Sequence, residues 1–158
     1  MPNFIKNIPE EFAWRGYLTP KVFLLKVNDV LLYLVVGIIW GVWHIPYYLF
    51  FLDTAAFQSV TTLGTGIFIP LSIVVMISWS IVLVELVLIT NSVWPVVLAH
   101  IIEDAFVNPL FIEGHVQILH GKELLVSPIY GIISIIFYVA IGIALRQLRK
   151  RRNSSLQE

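Results

Sequence analysis

Charged side chains are missing from four long stretches of this chain: no Asp, Glu, Lys or Arg occurs in 30–52, 54–84, 86–102 or 124–145. Each stretch is continuously apolar rather than alternating, and each can supply a helix across roughly 30 Å of hydrocarbon, which takes about 20 residues. The pattern predicts spans at 31–52, 66–90, 92–112 and 126–145. Continuous runs exclude a transmembrane barrel, whose strands alternate. Backbone groups in lipid must then be satisfied within helices. The predicted fold class is all-α: a polytopic membrane helix bundle of four transmembrane helices plus a short N-terminal helix.

The segments between the spans carry their own signals. Pro9 suits a first helical position, and a short helix is expected to run from there until Thr19-Pro20 ends it. That helix is too short and too charged to cross a bilayer alone. The stretch KVFLLKV is expected to feed straight into span one. Thr90-Asn91-Ser92 predicts a tight hairpin between spans two and three. The chain reads as one domain over 1–158, without repeats, and its basic tail, 146–158, is expected to be solvated.

Composition sharpens this picture. Hydrophobic residues make up 58% and charged residues 13%, with a mean hydropathy of +0.87. A soluble domain averages about 45–50% apolar and about 25% charged, and a soluble chain this apolar would aggregate through its exposed patches. Cysteine is absent, which removes thiol and disulfide chemistry. The formal net charge of zero argues against a nucleic-acid partner. Glu10 and Glu11 fall where a signal peptide would need an apolar core.

Orientation follows from the basic residues. Lys6, Arg15, Lys21 and Lys26 precede span one, and Arg146, Arg149, Lys150, Arg151 and Arg152 follow span four. Nine of the ten basic residues therefore lie on one side of a four-span bundle, and both termini are predicted cytoplasmic. The cell membrane is the expected location. The tail cluster also suits anionic lipid headgroups, although fixing topology is its simpler role.

Ionisable residues inside a membrane cost roughly 2.5–3.5 kcal/mol each on insertion scales and usually line a cavity or pathway. In AHIIEDAFVN, His100, Asp104 and Asn108 recur every fourth position and share one helical face. Such a face orients an imidazole through a carboxylate or offers two metal ligands; a histidine hydrogen-bonding across a helix interface is about as common. His44 sits in IIWGVWHIPYYLFF, where Pro46 should kink the helix beside it. Trp40 and Trp43 flank it, and the blander reading makes them interface anchors. Glu11 and Arg15 are four apart and can pair, leaving Glu10, about 100° around the helix, free to activate a water. Alone, this last element reads more simply as a solvated, salt-bridged helix start. Together the groups can act as general base plus oxyanion stabiliser, or as a divalent-metal site.

The ordered motifs carry a resemblance. EEFAWRGYL resembles the EExxxR signature of the CPBP family of intramembrane proteases, which includes the type II CAAX prenyl endopeptidases and the bacteriocin-processing or self-immunity (Abi) proteins. WGVWHIP, with Trp40 four before His44, is similar to the family's second motif, and HIIED, with Asp104 four after His100, to its third. The hairpin at Thr90-Asn91-Ser92 also looks like the family's turn.

The resemblance implies an intramembrane endopeptidase acting in CAAX-type or bacteriocin and peptide processing, or in self-immunity. Its substrate would be a peptide or protein within the membrane. Glu10 would activate water with His44, and His100 and Asp104 would stabilise the oxyanion or hold the water. Glu11, Arg15, Trp40 and Asn108 would support them. No cofactor is certain; a divalent metal such as zinc, on Glu10, His44, His100 and Asp104, is left open beside a metal-independent glutamate mechanism. Asp104 stands where the prenyl endopeptidases carry Asn, and an ionised Asp cannot donate to an oxyanion. A protonated Asp or a metal ligand could serve.

Family members usually carry several helices ahead of the first motif. The chain is accordingly expected to be the C-terminal catalytic portion of a longer protein, or a shortened member. Other classes remain open. One is a catalytically inactive, truncated immunity or partner-binding protein of the same fold. Others are a transporter or proton relay through Glu85 and Glu103, and a haem protein using both histidines. Glu85, five residues from the end of its span, is expected to reach the headgroups. His115 and His120 fall in an external loop without an assigned role.

Overall fold

The computed structural model describes residues 3–155 except 53, 55, 56, 59, 60, 113 and 120. His120 and the last three residues of the basic tail thus lie outside the described residues. All regular structure among the described residues is helical. The helices are α1 (Asn3–Glu11), α2 (Thr19–Leu24), α3 (Asp29–Pro46), α4 (Thr65–Thr90), α5 (Trp94–Ile102), α6 (Asn108–Ile112), α7 (Glu123–Val126) and α8 (Ile132–Ser155). Three π-helical turns extend them: Phe12–Leu18 after α1, Tyr47–Phe51 after α3, and Glu103–Val107 between α5 and α6.

Among the described residues, three helices are long and apolar enough to cross a membrane: Asp29–Phe51, Thr65–Thr90 and Ile132–Ser155. The chain is an integral membrane protein. The stretch expected as a fourth span, 92–112, is helical from Trp94 to Ile112 but not uniform. Two adjacent carboxylates, Glu103 and Asp104, open its π-helical turn, and Pro109 follows close behind.

Helix α4 is the hub, packed against both α3 and α8. Small residues permit the close approach, as in other membrane bundles. A Cβ on Gly37 would lie 2.6 Å from the Ile77 Cα, and one on Gly142 would collide with Ile81. Leu32, Tyr33, Val36 and Val84 fill the core at one end, with Val22 beside them. Trp40, Leu83 and Val96 fill it nearer the middle.

Several local expectations need correction. Thr19-Pro20 does not end the first helix, which is helical from Asn3 to Leu24. The π-helical turn widens the ladder, so the Thr19 amide and hydroxyl both reach the Trp14 carbonyl. Pro20 then begins a fresh turn, where its missing N–H costs nothing. KVFLLKV does not feed into span one either. Lys26 adopts a left-handed φ of 55°, and Asn28 caps α3 by accepting from the Leu31 amide at 2.9 Å.

The basic tail is helical through Ser155 rather than wholly solvated, and Arg149 within it is buried. Nor does Glu85 reach the headgroups. It is fully buried, taking Arg149 Nε at 2.7 Å and Nη2 at 2.9 Å, and it also accepts from the Tyr33 hydroxyl. The helix continues through the tail, carrying Arg149 onto Glu85, and an uncompensated carboxylate in an apolar bundle would be far costlier than this paired one. The hairpin turn forms as expected, with Asn91 in the left-handed region at φ 52° and its amide on Val87 O at 2.8 Å.

Candidate active site

Glu10, Glu11, Arg15, Trp40, His44, His100 and Asp104 lie on three elements, α1 with its π-helical turn, α3 and α5 with its π-helical turn, with Asn108 opening α6; Glu10, Arg15, His44 and His100 meet around the indole of Trp40. That side chain is fully enclosed. Its N–H donates to Glu10 Oε1 at 2.7 Å. The Arg15 guanidinium lies 4.0 Å over its ring, a favourable cation–π geometry. Both histidines stand edge-on to it, with centroids 5.6 Å away for His44 and 5.7 Å for His100. The kink expected at Pro46 takes the form of the π-helical turn Tyr47–Phe51, directly after His44.

Glu10 and His44 form the first pair. His44 Nδ1 lies 2.9 Å from the Trp40 carbonyl. A carbonyl only accepts, so Nδ1 carries the proton and Nε2 is left as a lone pair facing Glu10. Glu10 Oε1 and His44 Nε2 are 3.8 Å apart, too far for a direct hydrogen bond.

His100 and Asp104 form the second pair, with Nε2 and Oδ2 separated by 3.7 Å. Asn108 continues the row, donating to Asp104 Oδ1 at 3.0 Å. Behind His100, its Nδ1 meets Glu11 Oε1 at 2.6 Å. Glu11 also receives Arg15 at 3.0 Å, both side chains being fully buried. The two neighbouring glutamates therefore differ in employment. Glu11 orients an imidazole and neutralises a guanidinium, while Glu10 faces the second histidine.

A cavity of about 380 Å³ opens beside both pairs, lined among others by His44, His100, Glu103, Asp104, Lys6 and Trp79. In and behind its wall are groups that sequence reasoning missed. Lys6 Nζ sits 2.8 Å from Asp104 Oδ2. Burial of the Lys6 stem works against its charge, but the hydrogen bond and negative charge of Asp104 prevail and hold the ammonium above its ordinary range. Ser80 accepts from Arg15 at 3.2 Å, and Trp79 stacks against Tyr138 and stands edge-on to His100. The available signals were slight: Lys6 lies one helical turn before Glu10, and Ser78 and Ser80 interrupt an apolar helix.

The donor types suit a divalent ion, but the four residues expected to share one divide between the two pairs. The groups that gather are His100, Glu103 and Asp104, one ligand atom from each lying within 4.8 Å of the others. Lys6 already occupies one Asp104 oxygen of that trio.

Residues 2–106 match the family model for type II CAAX prenyl endopeptidase Rce1-like proteins. The chain belongs to that family. The matched segment contains Glu10, Glu11, Arg15, Trp40, His44, His100 and Asp104, so every element of the site except Asn108 falls inside it. No curated protein and no solved structure gives a match. Membership in the Rce1-like family makes CAAX-type intramembrane proteolysis the class of reaction, with a peptide as substrate and lipid as the surroundings.

Proposed function

We propose that this chain hydrolyses a peptide bond within the membrane, using a water activated by Glu10 and His44. One observation carries the reading: two acceptors, the Glu10 carboxylate and the bare Nε2 of His44, stand 3.8 Å apart, with His44 on the wall of the cavity. A single water bridges such a gap by donating one proton to each. Its lone pair is then free for attack on a carbonyl, which is what a general base requires. The Trp40 N–H fixes the glutamate, and the Trp40 carbonyl fixes the tautomer of His44.

The step balances simply. The water oxygen bonds to the scissile carbonyl carbon, one proton passes to Glu10, and the carbonyl electron pair moves onto its oxygen. When that pair returns, the C–N bond breaks and the amine leaves with the proton from Glu10. His100 and Asp104 line the same cavity, on the side where the scissile carbonyl oxygen would lie. A membrane-embedded peptide with an apolar flank is the substrate we favour, in CAAX-type or peptide processing.

The bundle is read as four crossings, α3, α4, 94–112 and α8, with the turn before α3 and the tail after α8 at the cytoplasmic face. Asp29 at the start of α3 pairs with Arg146 near the end of α8 at 2.6 Å, which supports one shared membrane face for those two ends. The concentration of Lys and Arg there supports the cytoplasmic side.

The trio of His100, Glu103 and Asp104 favours a second reading. These three residues would hold a divalent ion, which would polarise the scissile carbonyl. Cleavage of a quenched-fluorescent peptide library by detergent-purified protein tests both, beside Glu10→Ala and His44→Ala and with and without chelator. Turnover that disappears in both variants and survives chelation is expected. Loss on chelation would transfer the reaction to the metal reading, and a folded wild type that cleaves nothing would refute hydrolysis.

A further inference from the structure

His100 and Asp104 flank the cavity, yet the imidazole is turned toward two carboxylates rather than toward a developing oxyanion. Its Nδ1 meets Glu11 Oε1 at 2.6 Å, and its Nε2 faces Asp104 Oδ2 at 3.7 Å. Asp104 itself presents acceptors, with Asn108 on Oδ1 at 3.0 Å and Lys6 on Oδ2 at 2.8 Å. An oxyanion forming beside that carboxylate would meet repulsion where stabilisation is needed.

Lys6 supplies what is missing. Its ammonium has three donors, one of them engaged by Asp104. The side chain lines the cavity and is 55% exposed, so its remaining donors are accessible to a bound substrate. Lys6 and Glu10 are one turn apart on α1 and share a face of that helix. The base and this cation are therefore held at a distance set by the helix itself.

We propose that Lys6 is a catalytic residue: its ammonium, steered by Asp104, donates to the scissile carbonyl oxygen as that oxygen becomes an oxyanion. The pair of Lys6 and Asp104 acts as one unit in which the carboxylate aims the donor and the ammonium cancels the carboxylate. This rests on the hydrolytic reading above and adds to it a residue that lies outside the three motifs.

The test is a comparison of kcat and KM for peptide cleavage by wild type, Lys6→Met, Lys6→Arg, Asp104→Asn and the double variant Lys6→Met/Asp104→Asn. Lys6→Met should lose about 10²-fold in kcat, as for other removed oxyanion donors, with KM little changed. Lys6→Arg should keep most of the activity. The double variant should be faster than Lys6→Met by about tenfold, because the carboxamide brings its own N–H and leaves no unpaired carboxylate. A Lys6→Met enzyme at the wild-type rate would overturn the inference while leaving hydrolysis standing. A double variant no faster than Lys6→Met would also overturn it, and would move the donor to a doubly protonated His100. Wild type that cleaves nothing would sink the hydrolytic reading and this inference together.

Discussion

Two clusters of ionised side chains are buried in this bundle, and they are built on opposite plans. At the cytoplasmic-facing end proposed for α3 and α8, Glu85, Arg149, Asp29, Arg146 and Tyr33 form a closed set. Arg149 grips Glu85 through two nitrogens and reaches Asp29 at 3.0 Å, which also holds Arg146. Around Trp40 the pairs that face the cavity stay apart, at 3.8 Å for Glu10 with His44 and 3.7 Å for His100 with Asp104. Burial of charge does not distinguish the clusters. What does is that one set answers each carboxylate oxygen with a cation, whereas the other sets imidazoles and a carboxylate on the wall of a cavity. A buried charge is a structural fastening in the first arrangement and a reagent in the second.

Glu10→Gln probes this difference most sharply. Glutamine keeps an acceptor for the Trp40 N–H but cannot take a proton, so turnover should fall about 10³-fold while the thermal midpoint in detergent stays in place. A variant that melted early instead would show Glu10 to be a fastening too. Arg149→Met is the mirror experiment. It strands Glu85 without its cation and should cost about 3 kcal/mol of stability, with kcat per folded molecule unchanged; a midpoint equal to wild type would dissolve the contrast. Gly142→Ala is the mildest probe. The added methyl would collide with Ile81 and separate α8 from α4, at about 1–3 kcal/mol for overpacking. Because the acid–base side chains sit on α1, α3 and α5, cleavage at low temperature should survive it, and equal loss of both properties would count against independent clusters.

Much of the fold was legible in sequence because hydropathy reports the environment of whole segments. The charge-free stretches placed two spanning helices close to their observed bounds, while the last, expected at 126–145, runs instead from Ile132 to Ser155 because the basic stretch after 145 continues the helix; the spacing of Glu11 and Arg15 marked a pair that forms. What stayed hidden was pairing between distant segments. Glu85 and Arg149 are separated by 64 positions, and a charge near a helix end looks like a headgroup anchor until its partner is known. One hint did exist: Arg149 lies seven residues after Gly142, on the same helical face that α8 presses against α4. In the candidate site, Lys6 looked like a topology charge because nothing local ties it to Asp104. The wide turns were invisible for another reason. They arise where proline, a carboxylate pair or a tertiary contact breaks the ordinary ladder, and composition alone does not say which break will be absorbed and which will end a helix.

Those wide turns also set what changes in length the chain can survive. Each of the three begins at, or immediately after, a segment bearing a site side chain: Phe12–Leu18 after Glu11, Tyr47–Phe51 after His44, and Glu103–Val107 around Asp104. A π-helical turn holds one residue more than an α-helix needs over the same rise. Removing a single residue there would let the turn tighten to an ordinary α turn over nearly the same rise and rotation, so the flanking helices would keep their aim. The same deletion inside the regular turns of α1 or α3 would rotate one side against the other by about 100° and take Glu10 or His44 off the Trp40 indole. The wide turns are the places where the chain can lose a residue, and the regular turns beside them are not.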